Sequence, residues 1–130
     1  MKKHSHDGLH REITEKIIGA GIEVHREMGP GLLESSYEDC LDLELRDRDI
    51  AFSRQVVVPL MYKGKPLASI YRLDLIVEEC VIIEVKAVDK LMRVHLAQML
   101  SYLRHTGLHV GLIMNFNCEK LPDGIVRVSL

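Results

Sequence analysis

The spacing of apolar residues over the first third of the chain predicts two helices. One set recurs three or four positions apart and so lies on one face of a helix over residues 11–28, namely Ile13, Ile17, Ala20, Val24 and Met28. Gly-Pro-Gly at 29–31 ends this helix because both residue types disfavour helical backbone. A second helical pattern with a charged, solvated face runs over 33–49, and the two helices are expected to pack as a pair.

The pattern then changes to one typical of strands. Residues 55–62 and 67–77 are β-branched and apolar, and the turn-forming segment 63–66 joins them, which predicts a β-hairpin. A tight connection at 78–80 leads to residues 81–85, which are so apolar that both faces of this strand should be covered. The three strands form a meander.

Helical spacing returns over 89–105 and ends at Thr106-Gly107. A buried strand follows over 110–116, and residues 125–128 add a short edge strand. The order is therefore ααβββαβ plus an edge strand, which predicts an α/β fold with a mixed β-sheet flanked by helices.

Length and composition indicate one domain. The 130 residues are 47% hydrophobic, enough for one core, and we expect a flexible N-terminal tail over 1–10 and a single domain over 11–130. No apolar run approaches the roughly 18 residues that cross a bilayer, and the N-terminus lacks the apolar stretch of a signal peptide, so a cytoplasmic protein with no membrane contact is expected. The separated Cys40, Cys80 and Cys118 favour reduced thiols.

The charge balance restricts how the chain could bind nucleic acid. Seventeen Lys and Arg against nineteen Asp and Glu give a formal charge of −2, the wrong sign for non-specific coating of a polyanion. Any contact with nucleic acid must therefore be local. An acidic cluster that holds divalent cations would explain part of the negative balance.

Three ionisable residues in the meander are the strongest candidates for chemistry. Glu84 and Lys86 are two apart on one strand, so their side chains leave the same face. If the connection at 78–80 has three residues, Val77 pairs with Val81 and Asp74 falls opposite Glu84, with Cβ atoms about 5 Å apart. A two-residue turn would send Asp74 to the other face. The proposed centre therefore depends on the three-residue register. The connection has no Gly, which such turns favour.

Ionisable side chains aimed into an apolar sheet are costly to desolvate unless something compensates them. A hard divalent cation between two carboxylates does so, and it supplies what phosphodiester hydrolysis needs, a polarised phosphoryl oxygen and a water of lowered pKa. Lys86 would orient that water or neutralise developing charge. The alternative is a buried Asp-Lys-Glu salt-bridge network with no chemical role.

Asp74 followed by Glu84-Val85-Lys86 resembles the PD-(D/E)XK phosphodiesterase superfamily, although Leu73 stands where that motif has Pro. Residues 31–37 fit the GxxExxY motif that names a small bacterial family within it. Further residues continue the resemblance from about Ile13 onward: His25, Gly29-Pro30-Gly31, Ala87-Val88, His95, Ala97-Gln98, Tyr102, Thr106-Gly107 and Asn115-Phe116. The resemblance implies a restriction-endonuclease-like PD-(D/E)XK core.

The resemblance also implies a Mg²⁺-dependent nuclease, with Mn²⁺ as a substitute. Asp74 and Glu84 would be metal ligands, the Val85 carbonyl a third, and Lys86 the water-orienting base or charge stabiliser. Glu34 would complete the acidic cluster from the second helix. Without the resemblance, Glu34 is equally well explained as a first-turn acid stabilised by the helix dipole.

The third helix carries a second motif. Gln98 and Tyr102 share one face with His95, and they resemble the QxxxY element with which related exonucleases hold the substrate strand or the lysine. Tyr37, three residues after Glu34, is expected to bind substrate too. The alternative for the helix is a polar stripe with a capping His.

Other histidines are assigned structural roles. His25 is expected to be a hydrogen-bonded packing residue, and His4, His6 and His10 to belong to a polar tail and not to a metal site.

DNA rather than RNA is the expected substrate, and a homodimer or a larger protein partner would supply target recognition that a chain of this length has little room for. The alternative function is a non-catalytic nucleic-acid-binding or partner-regulatory module that keeps the nuclease fold.

Overall fold

A computed structural model describes residues 8–130 and shows a five-stranded mixed sheet with helices on both faces. The elements are α1 Arg11–Met28, α2 Glu34–Asp47, β1 Phe52–Tyr62, β2 Lys65–Val77, β3 Val81–Lys86, α3 Arg93–Thr106, β4 Val110–Asn115, a 3₁₀ turn Leu121–Gly124 and β5 Ile125–Ser129. The strands lie in sequence order; β3 and β4 are parallel and all other neighbours are antiparallel. The predicted fold class is confirmed.

The predicted tail lies mostly outside the described residues, including His4 and His6. His10 directly precedes α1. None of the helices in the described part of the chain is long and apolar enough to cross a membrane.

Several predicted boundaries are corrected. Strand β2 begins at Lys65 and not at 67, because only Lys63 and Gly64 form the turn, both with left-handed backbone (φ 50° and 79°). Strand β1 begins at Phe52 and not at 55. The third helix begins at Arg93 and not at 89, and the connection before it is held by the Asn115 side chain, which bonds both backbone groups of Val88. The 3₁₀ turn before β5 was not predicted.

The sheet separates two cores. Helices α1 and α2 cover one face through residues such as Ile17, Leu41 and Leu45, which pack on Val81, Ile83 and Val85 of β3. Helix α3 covers the other face, where Met99 and Leu103 pack on Ile82 and Ile113. Both faces of β3 are thus buried, as its continuous apolar run predicts.

Strands β1 and β2 exchange faces near the middle of their length. Leu75 packs with α1 and α2, whereas Leu73 packs with α3, although residues two apart on a regular strand share a face. The register pairs Arg54 with Leu75 and Val56 with Leu73, which places Gln55 opposite Asp74 at the point of change. Gln55 has left-handed backbone (φ 54°), which turns the strand there.

An ion-pair network from α2 fixes this irregularity. The Arg54 guanidinium donates to Glu38 at 2.5 Å, Asp39 at 2.6 Å and Asp42 at 3.1 Å. The Gln55 side-chain amide also donates to Glu38, at 2.8 Å. Because the Glu38 carboxylate is nearly buried, these charge-assisted bonds hold Gln55 in its strained conformation.

The connection between β2 and β3 has the three-residue length on which the candidate centre depends. Val77 pairs with Val81, and the ladder continues through Ile76–Ile82 to Leu75–Ile83, so the predicted register is confirmed. The connection achieves this without Gly, since Glu78 and Glu79 both adopt left-handed backbone (φ 52° and 57°). Glu78 is held there because its carboxylate accepts the Ala51 N–H.

We predict that Glu79→Gly stabilises the protein. Left-handed backbone costs a non-Gly residue about 1–2 kcal/mol, and glycine avoids this cost. The greater freedom of glycine in the unfolded chain offsets roughly 0.5–1 kcal/mol of that gain. The free energy of unfolding, measured by urea denaturation, should therefore rise by about 0.5–1 kcal/mol. The control Glu119→Gly, at an exposed position without positive φ, should lower it. Equal losses in both variants would contradict the strain at Glu79.

Candidate active site

Asp74 lies where the β2–β3 ladder ends. The last pair of this ladder is Leu75–Ile83, so Glu84 is the residue opposite Asp74. The N–H of the next residue, Val85, donates to Asp74 Oδ2 at 2.8 Å. A side-chain carboxylate thus satisfies a buried backbone donor that is outside the ladder. This bond fixes Asp74 against the end of β3.

Glu84 faces α3 and is buried, with 7% of its surface exposed. Its Oε1 atom is buried with no hydrogen-bond partner among residues 8–130. Burial, hydrogen bonding with the Asp74 carboxyl group and the charge of Asp74 together raise the pKa of Glu84 to about 9, while the charge of Lys86 opposes the rise. In the metal-free protein near neutral pH, Glu84 therefore keeps its proton.

Lys86 ends β3 and is half-buried. Its ammonium group is near enough to Glu84 to lower the pKa of that carboxyl group. Its backbone carbonyl accepts the Phe116 N–H at 2.9 Å, which ties the end of β3 to the end of β4. Asp74, Glu84 and Lys86 are thus brought together, as the register predicted.

The donor set fits a hard divalent cation. Two adjacent carboxyl groups are held together, one with a buried oxygen that lacks a partner, and a cation between them would offset the cost of ionising both. Asp74 and Glu84 would hold the cation, and the Val85 carbonyl remains the predicted third ligand. Mg²⁺ commonly binds through one or two carboxylates and keeps several waters, so two are sufficient.

Glu34 does not join the carboxylate pair. No three His, Cys, Asp or Glu side chains within the described range gather closely enough to hold a metal ion. The first residue of α2, Glu34, instead accepts the Ala87 N–H at 3.1 Å through Oε2, one residue beyond Lys86. It therefore lies at the rim of the centre and, without rearrangement, is not the third carboxylate ligand that the resemblance implied.

Tyr102 reaches the centre from α3. Burial, followed by the charges of Glu84, Tyr71 and Asp74, raises its pKa to about 12. The Tyr102 hydroxyl is therefore a neutral hydrogen-bond group at physiological pH. Its ring packs edge-on against Tyr71 with centroids 4.7 Å apart, and the Tyr71 hydroxyl bonds Ser101 at 2.8 Å.

The other two α3 residues of the predicted motif differ in role. Gln98 is exposed one turn before Tyr102, so its side chain is accessible to a substrate. The His95 Nδ1 atom accepts the Met92 N–H at 2.9 Å and closes a capping box at the start of α3. The capping interpretation therefore accounts for His95, and the substrate-binding role proposed for it has no support from this geometry.

Tyr37 is fully buried and does not face the centre. Its ring stacks on Phe116 at 4.5 Å, and its hydroxyl donates to the Gly29 carbonyl at 2.5 Å and accepts the Leu32 N–H at 3.1 Å. Tyr37 therefore orders the connection between α1 and α2, and the predicted substrate contact is corrected to a structural role.

His25 is also a packing residue, as expected. Its Nε2 atom hydrogen-bonds the Cys118 carbonyl at 2.8 Å, which joins α1 to the segment after β4.

Sequence reasoning missed the roles of two positioning residues. Asn115, at the end of β4, uses its amide to bond the Val88 N–H at 3.0 Å and the Val88 carbonyl at 2.9 Å. It thereby fixes the backbone that follows Lys86. Tyr71 supports the ring of Tyr102. Asn115 belonged to the residues that carry the resemblance but was given no role, and Tyr71 carried no signal, because each acts through a partner distant in sequence.

Comparison with known proteins assigns the fold to a family. A family model described as the PD-(D/E)XK nuclease superfamily matches residues 11–128, which is most of the chain. The searches of curated proteins and of solved structures each returned no match. The matched region includes all residues of the candidate centre.

We predict that Glu84→Gln stabilises the metal-free protein, increasingly so as pH rises. The pKa of Glu84 is about 9 in the folded chain and near its ordinary value of 4.5 when unfolded. Protonation of Glu84 therefore contributes its full stabilisation of the folded wild-type protein below about pH 4.5, and this contribution is lost as pH rises toward 9. Melting temperatures in EDTA at pH 5, 7 and 9 should diverge, with the variant higher at pH 9.

Adding Mg²⁺ at pH 8 should raise the melting temperature of the wild-type protein but not that of Glu84→Gln. The exposed control Glu119→Gln should follow the wild type under every condition. Parallel pH profiles for wild type and Glu84→Gln would contradict the assigned protonation of Glu84.

Proposed function

Because the chain belongs to the PD-(D/E)XK nuclease superfamily, we propose that it is a Mg²⁺-dependent nuclease that hydrolyses phosphodiester bonds at Asp74, Glu84 and Lys86. The observation that carries the proposal is the buried Glu84 Oε1 atom, which has no hydrogen-bond partner in the described chain and lies in a carboxyl group adjacent to that of Asp74. A salt-bridge network with no chemical role is expected to satisfy its buried oxygens, because unsatisfied buried polar atoms are rare in folded proteins.

Each side chain has a distinct task in this proposal. When bound, the cation polarises a phosphoryl oxygen and lowers the pKa of an attacking water. Asp74 and Glu84 hold it, and Glu84 must release its proton to do so. Lys86 stabilises negative charge that develops on the phosphate. Tyr102 offers a neutral hydroxyl to the same space, and the exposed Gln98 extends the substrate contact along α3.

The finer assignments are proposals too. The motif in residues 31–37 supports membership of the GxxExxY family. DNA is the proposed substrate in preference to RNA, with Mn²⁺ able to replace Mg²⁺. A cytoplasmic location, and a homodimer or a larger protein partner that provides target recognition, remain predictions.

One observation favours the alternative of a non-catalytic binding or regulatory module. The described residues gather two carboxylates at the centre and not three, because Glu34 is bonded to Ala87. Two carboxylates bind a cation more weakly than three do. The alternative predicts nucleic-acid binding without turnover at any Mg²⁺ or Mn²⁺ concentration.

We predict that the purified chain cleaves nucleic acid with Mg²⁺ or Mn²⁺ and is inactive in EDTA. Duplex DNA, single-stranded DNA and RNA labelled at one end are the substrates to compare. Asp74→Asn and Lys86→Ala should each lower the cleavage rate by at least about 100-fold, since each removes a group that acts on the reacting phosphate.

Two exposed neighbours provide matched controls. Glu119→Gln and Lys120→Ala remove the same charges outside the centre and should retain full activity. Cleavage that survives both Asp74→Asn and Lys86→Ala would reject the assigned centre. Saturable Mn²⁺ binding that is lost in Asp74→Asn, with no cleavage of any substrate, would instead support the non-catalytic module.

A further inference from the structure

The hairpin of β1 and β2 has a charge opposite to that of the rest of the chain. Residues 55–73 contain Lys63, Lys65 and Arg72 and no Asp or Glu. The remaining residues contain fourteen Lys and Arg against nineteen Asp and Glu. We call residues 57–72 the hairpin arm. It is a local cationic segment in an acidic protein.

The cations of the hairpin arm are available to a ligand. Lys63, Lys65 and Arg72 are all exposed, and within residues 8–130 none of them forms an ion pair, since the ion pairs found there involve α1, α2 and Arg54. Lys63 and Lys65 lie close together at the tip without carboxylate partners and therefore repel each other, and a bound polyanion would relieve this repulsion.

An exposed aromatic ring lies beside these charges at the tip. Tyr62 is 62% exposed, and Lys63 Nζ lies 5.4 Å from the centroid of its ring. An accessible ring among lysines is the combination with which proteins stack a base and neutralise the adjacent phosphates. The tip therefore offers two kinds of contact to a nucleic-acid strand.

The hairpin arm leads directly to the candidate centre. Its strands pair from Val57–Arg72 to Tyr62–Lys65, and Arg72 is two residues before Asp74. Six residues of strand extend about 20 Å, which is the length of about six successive phosphates on one strand of duplex DNA. A strand held along the hairpin arm would be directed toward Asp74 and Glu84.

We propose that the hairpin arm binds the nucleic-acid strand that enters the catalytic centre, with Lys63, Lys65 and Arg72 on its phosphates and Tyr62 stacked on a base. This rests on the proposed nuclease function. The exposed apolar residues Val57 and Ile70 make a second copy of the chain the competing occupant. The positive charge of the hairpin arm favours nucleic acid as the occupant, because two copies of this cationic surface repel each other whereas a phosphate backbone is attracted to it.

The test measures binding apart from cleavage. Fluorescence anisotropy with labelled single-stranded and duplex DNA in EDTA, over a range of KCl concentrations, gives affinity and its salt dependence. In the variant Lys63→Gln/Lys65→Gln, affinity should fall roughly tenfold and the slope of log affinity against log salt by about 1.5. Tyr62→Leu should weaken binding of single strands, and Tyr62→Phe should restore it.

The control Lys16→Gln/Lys120→Gln removes the same charge from two exposed positions outside the hairpin arm and should bind like the wild type. In Mg²⁺ the arm variant should show a raised KM and an unchanged kcat.

The outcomes separate this inference from the proposed function. If the wild type cleaves nucleic acid and the arm variant matches the control in affinity and slope, the role of the hairpin arm is overturned and the nuclease stands. If the wild type neither binds nor cleaves, both are overturned. A dimer in sedimentation experiments that the Val57→Ser/Ile70→Ser variant dissociates, with DNA binding unchanged, would assign the hairpin arm to a second copy.

Discussion

The antiparallel register between β2 and β3 is the constraint on which the candidate centre depends. Because side chains alternate along a strand, a slip of one residue would move Asp74 to the opposite face from Glu84 and Lys86. Two strained residues in the connection, Glu78 and Glu79, maintain this register, and the N–H of Val85 bonds the Asp74 carboxylate where the ladder ends. Backbone strain and one hydrogen bond together hold the two carboxyl groups adjacent.

An irregularity in β1 lies directly opposite Asp74. The Arg54 network from α2 holds Gln55 in left-handed backbone opposite Asp74, and there both hairpin strands exchange faces. Beyond this point β2 packs with α3 and no longer pairs with β3. The hairpin arm can therefore extend away from the sheet while its base remains attached to the centre.

The energetics of the centre link its folding to ligand binding. The buried Glu84 carboxyl group beside the half-buried Asp74 carboxyl group favours one proton on the pair over two charges, so Glu84 is protonated when no cation is bound. A divalent cation would replace that proton, and a cationic surface would then be needed to bring a phosphate backbone to an otherwise acidic protein. In the proposed function the centre and the hairpin arm are complementary, because the centre would hold the cation and the hairpin arm would attract the polyanion.

The sequence by itself determined the element order and the mixed sheet, because apolar periodicity reports which faces are buried. It also predicted the strand register that places Asp74 beside Glu84 and Lys86, because spacing along a strand fixes which side chains share a face. Only the tertiary structure decided the roles that depend on distant partners. Tyr37 stacks on Phe116, Glu34 bonds Ala87, and Asn115 holds Val88. Local sequence patterns do not encode such contacts, since each arises from packing between separate elements and from whether a buried polar group finds its partner there.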